Sequence, residues 1–90
     1  MRNELLYAKE AAKILRALPA KERARLGPLL EKLADDPFLG KQLTGPLADL
    51  RSLRVGKYRV IYSHLPAERR VIVLTLGHRK EIYKKARRKK

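Results

Sequence analysis

Arg54, Lys57 and Arg59 recur along one short stretch, and His78, Arg79 and Tyr83 follow further down the chain. Cations of this kind grip phosphate, and a Tyr or His among them can move protons. Other chemistries lack their residues. A hydrolytic metal site needs carboxylates, yet residues 51–90 offer only Glu68 and Glu81. Zero Cys removes thiolate ligands and disulfides, and two His leave few metal ligands. Ser52 and Ser63 stand in no nucleophile signature, Asp49 is the only Asp beyond residue 36, and no glycine-rich nucleotide loop is present. What remains is phosphoryl chemistry run by cations, with no metal and no cofactor expected. RNA suits that inventory because its own 2′-hydroxyl can serve as the nucleophile. The protein then has to position it, stabilise the equatorial oxygens and protonate the leaving 5′ oxygen.

The charge distribution points the same way. The net charge is +14; residues 1–50 carry nine Lys/Arg against seven Asp/Glu, whereas residues 51–90 carry fourteen against two. A polycationic half favours phosphate-rich partners, through counterion release. At 90 residues the chain is expected to form one domain spanning 1–90. No apolar run approaches the roughly 20 residues of a membrane span. The first residues include Arg2, Glu4, Lys9, Glu10 and Lys13 where a signal peptide would be apolar, so a cytoplasmic protein with no membrane partner is expected.

The elements that must position the cations are legible as changes of period. Glu4 to Tyr7 reads as a brief strand leading into a helix. Ala8, Ala11, Ile14, Leu15 and Leu18 fall at helical spacing before Pro19, and Leu26, Leu29, Leu30 and Leu33 form a second stripe over 21–34, with a kink or break expected at Gly27-Pro28. The short connection makes the two a helical hairpin. Residues 37–48 read as a loop. The period then becomes 2: strands are predicted around Leu53 and Val55, around Tyr58, Val60 and Tyr62, and over Val71–Leu76, with turns at Gly56 and at Pro66–Arg69. Residues from Arg79 to Arg88 are compatible with a short C-terminal helix, and 86–90 with a frayed basic tail. The fold class is α+β: an N-terminal helical hairpin on a small antiparallel sheet. One face of that sheet is apolar and buried; Arg54, Lys57 and Arg59 project from the other.

The run Leu53-Arg54-Val55-Gly56-Lys57-Tyr58-Arg59-Val60-Ile61-Tyr62, with Gly77-His78-Arg79-Lys80-Glu81-Ile82-Tyr83 after one further strand, resembles the hallmark of the RelE/ParE toxin superfamily, and most nearly its RelE branch. Leu43-Thr44-Gly45-Pro46-Leu47 and the helical hairpin fit as well, so the resemblance covers nearly the whole chain. It implies a RelE-like fold and the toxin of a type II toxin–antitoxin system. That toxin would be a ribosome-dependent mRNA interferase cutting messenger in the A site, with a RelB-like antitoxin, the ribosome with its rRNA, and mRNA as partners.

By the same resemblance, Arg59 is the strand arginine that contacts the scissile phosphate. Arg79 stabilises transition-state charge or protonates the leaving group, and Tyr83 is the general base or stacks on the substrate base. His78 is a further acid–base candidate. Lys80, Lys84 and Lys85 are expected on RNA backbone. The chain departs from the RelE pattern at Leu50 and Ser52, near which typical members carry strand lysines. Arg51 and Arg54 are the cations available there, with Lys57 beside them, and an arginine, always charged, does not readily donate a proton. Two other readings remain open: a ParE-type poison of DNA gyrase, and a basic RNA-binding module without catalysis.

Overall fold

The computed structural model describes residues 2–78. The predicted C-terminal helix, the basic tail, and Arg79, Lys80, Tyr83, Lys84 and Lys85 lie outside the described residues. The chain runs β1 (Glu4–Tyr7), α1 (Lys9–Ala17), α2 (Ala20–Asp35), β2 (Lys41–Gln42), β3 (Arg51–Val55), β4 (Tyr58–Leu65) and β5 (Arg70–His78). Short 3₁₀ turns lie at Gly45–Leu47 and Pro66–Glu68.

The helical hairpin and the α+β class are as expected, but the sheet is mixed. Its order is β1-β5-β4-β3-β2; the last three pairings are antiparallel, while β1 lies parallel to β5. A parallel partner cannot be reached by a tight turn and needs a crossover, which α1 and α2 begin. The loop predicted over 37–48 contains the two-residue strand β2, too short to show any alternation. α2 continues through Pro28 as one helix. Pro28 is exposed, so the carbonyl of Ala24 that loses its amide partner can turn to water.

α1 and α2 cover one sheet face. Ala11, Leu26, Leu30 and Leu33 meet Val55, Val60, Tyr62, Val71, Val73 and Leu76 in the main core, each large side chain contributing about 1.5–3 kcal/mol by its burial. The inward residues of β5 change parity between Val73 and Leu76 because the register with β4 slips: Ile61 pairs with Thr75 but Tyr62 with Val73, leaving Leu74 as the extra residue. That bulge is why β5 reads as apolar on both faces. Buried Thr75 donates its hydroxyl to a Glu10 carboxylate oxygen (2.6 Å), tying α1 to β5.

The opposite face is only partly cationic. Leu47 and Leu50, with Leu43 beside them, fold down over Ile61 and Leu74, so the 43–50 segment covers part of it. The cations keep the end nearest the β3–β4 turn, where Gly56 supplies the left-handed backbone (φ 58°).

The α2–β2 loop is anchored from beneath. Buried Tyr62 donates its hydroxyl to the Pro37 carbonyl (2.6 Å) and accepts the Gly40 amide (2.8 Å). Tyr62→Phe leaves both groups unpaired and is expected to cost about 1–3 kcal/mol in thermal or denaturant unfolding at neutral pH. Burial raises the Tyr62 hydroxyl's pKa above the ordinary phenol value, against the lowering pull of the Gly40 amide and Arg51. The unfolded chain therefore gives up this proton first, and stability falls as pH rises above about 10. Tyr62→Phe lacks that component, so its deficit should shrink in melts carried above that pH.

Candidate functional site

β3 and β4 place Arg54 and Arg59 directly opposite each other, with Gly77 of β5 next in the same row. Side chains so paired share a face with Cβ atoms about 5 Å apart, and like charges there repel. Arg54 is exposed and Arg59 half-buried. Among the described residues the Arg59 Nε is buried without a hydrogen-bond partner, and its Nη1 lies 3.5 Å from the Ser52 hydroxyl, a long contact. Among the described residues no carboxylate pairs with Arg59. A guanidinium cannot shed its proton to relieve this. Two adjacent cations with a sequestered donor can together hold an anion.

The other expected site residues are divided by the strand pleat. Lys57 sits in the turn rather than on β4, with its ammonium 5.7 Å from the centre of the Tyr58 ring. His78, exposed at the end of β5, pairs in register with Tyr58 and lies 5.5 Å from it ring to ring. Tyr58 and His78 thus project from the face opposite Arg54 and Arg59. Tyr58 is half-buried. Arg51 is drawn away: it faces with Tyr62, its Nε donates to the Gly40 carbonyl (3.1 Å), and its guanidinium stands 5.0 Å over the Phe38 ring. Buried Ser52 faces with Arg59, and Leu50 is in the apolar cluster beneath the 43–50 segment.

One cation at this end carried no local signal. Arg25 of α2 reaches the turn, its Nη1 3.7 Å from where a Cβ on Gly56 would stand. Along α2 it reads as one more exposed charge; only the docking of the helix brings it to the turn at Gly56. The turn end of the sheet therefore gathers Arg25, Arg54, Lys57 and Arg59, with His78 at its rim. Among the described residues no three His, Cys, Asp or Glu side chains converge as metal ligands, and no helix is long and apolar enough to cross a membrane.

Residues 5–83 match the family described as the ParE toxin of the type II toxin–antitoxin system parDE. The chain belongs to that family. Within the RelE/ParE superfamily its fold is RelE-like. It is similar to the toxin–antitoxin complex RelBE2 from Mycobacterium tuberculosis (27% identity over 88% of this chain and 100% of that one, TM-score 0.80). It is also similar to the archaeal RelE–RelB complex from Pyrococcus horikoshii (27% identity over 89% and 98%, TM-score 0.70). The isolated RelE toxin of E. coli shares the fold at 24% identity, covering 97% of each chain with a TM-score of 0.74. Among curated proteins, none matches the chain. This RelE-like protein is the toxin of a type II toxin–antitoxin system.

Proposed function

We propose that this toxin is a metal-independent endoribonuclease that cuts mRNA in the ribosomal A site. The cross-strand pair Arg54 and Arg59, with its unpartnered buried Nε, carries the reading: it is a preformed cradle for a phosphodiester. The 2′-oxygen of the nucleotide before the cut bonds to phosphorus, and its proton passes to a base for which Tyr83 is the candidate, His78 projecting from the opposite face of the sheet. The bond from phosphorus to the 5′ oxygen breaks, leaving a 2′,3′-cyclic phosphate and a 5′-hydroxyl once that oxygen is protonated. Arg59 binds the non-bridging oxygens as their charge grows, and Arg79 supplies a second cation or assists the leaving group. Lys57, Lys80, Lys84 and Lys85 hold phosphates of mRNA and rRNA without reading sequence. The RelB-bound relatives support a cognate antitoxin as the neutralising partner.

Primer extension on a message undergoing translation tests this. Breaks that appear only with ribosomes and toxin together are expected. The ParE family match favours a second reading, a poison of DNA gyrase. Intact transcripts together with inhibited supercoiling would establish that one instead.

A further inference from the structure

We propose that a cleft beside Phe38, separate from the Arg54 and Arg59 site, takes an unpaired nucleobase of single-stranded RNA; this rests on the reading of the toxin as an RNA-cleaving enzyme. Phe38, between α2 and β2, is 65% exposed, yet its loop is held still. Its amide donates to the Asp36 carboxylate (3.1 Å), the Leu39 amide to the Asp36 carbonyl (3.2 Å), and the flanking Pro37 and Gly40 are bound by the Tyr62 hydroxyl. The Arg51 guanidinium stands over the ring, fixed through Nε to the Gly40 carbonyl, and the His64 ring meets Phe38 edge-on at 5.3 Å. Together with Gln42, Asp49 and Pro66 they line a cleft of about 350 Å³, within the range of small-ligand sites.

The lining selects the occupant. A planar heterocycle can stack on the ring and present both donors and acceptors to Arg51, Asp49, Gln42 and His64, as splayed bases do in RNA-binding proteins. The +14 charge of the chain favours a polyanionic strand over a neutral peptide. Arg51 precedes Arg54 on β3 by three residues, about 10 Å, so one strand of RNA held at Arg54 and Arg59 can pass around the β2 edge to reach the cleft. Such a base clamp would fix the register of the strand relative to the cut.

The chain contains no Trp, so Phe38→Trp places a single indole fluorophore in the cleft. Titration of this variant with a short single-stranded oligoribonucleotide is expected to quench it saturably, while a strand of equal length with abasic sugars does not. Phe38→Ala is expected to weaken binding of the base-bearing strand about tenfold or more, measured by anisotropy of a labelled oligonucleotide, with an unchanged melting temperature and unchanged affinity for the abasic strand. Undiminished RNA binding by Phe38→Ala, with no quenching of the indole in Phe38→Trp, overturns the base site and leaves the RNA reading standing. Absence of RNA binding by the wild-type chain, together with uncut message in the translation assay, overturns both. Quenching by an apolar peptide but not by RNA assigns the cleft to a protein partner and equally overturns the proposal.

Discussion

Arg59→Ala is expected to lower the rate of message cleavage about 10²–10³-fold, the loss typical when one preorganised donor to a developing oxyanion is removed. The reason lies in the strand pairing. Arg59 is half-buried, has no carboxylate partner among the described residues, and carries a buried Nε with nothing to bond. That arrangement is unfavourable on its own, and an approaching phosphate relieves both the desolvated donor and the repulsion from Arg54. For the same reason the variant should fold at least as well as the parent, so lost activity with an unchanged or raised melting temperature separates a site residue from a structural one. Arg59→Lys keeps the charge but loses the planar fork, and is expected to fall between the two. Cleavage by Arg59→Ala at the parental rate would remove Arg59 from the chemistry.

Gly40→Val is expected to destabilise the fold by about 4 kcal/mol, a fall in melting temperature of about 15–30 °C. A Cβ on Gly40 would stand 2.6 Å from the Tyr62 hydroxyl oxygen and 2.9 Å from the Ser52 carbonyl. Neither can yield easily: Tyr62 is fully buried, and the Ser52 carbonyl belongs to the β3 backbone. The side chain would force the α2–β2 loop off the sheet and break both Tyr62 hydrogen bonds, which anchor that loop. Melting curves of the two proteins check this directly; a deficit below about 1 kcal/mol would mean that the loop is not anchored as described.

Sequence periodicity reaches the site further than it reaches the frame. Arg54 and Arg59 share a face because strand alternation puts them there, and the register of β3 on β4 follows from the tight turn at Gly56. Lys57 illustrates where that reasoning stops: counting in twos places it with Arg59, but the turn takes it out of the strand. The parallel pairing of β1 is non-local and leaves no mark in Glu4–Tyr7. The Leu74 bulge is hidden because a run apolar on both faces has no alternation to interrupt. Arg51 looks like one more cation of the basic half. Its actual partners, Gly40 and Phe38, come from a loop whose path is fixed by Tyr62. The same tertiary folding brings Arg25 to the turn and lets the 43–50 segment cover part of the face that alternation alone leaves open.

The central claim is that the cation cradle at Arg59 assists the RNA's own 2′-hydroxyl. A message with a single 2′-deoxynucleotide on the 5′ side of the cut, placed in the A site of programmed ribosomes, tests it most directly. The account predicts no cleavage at that position, with normal cleavage of the all-ribose message. A cut at the deoxy position at the same rate would contradict it.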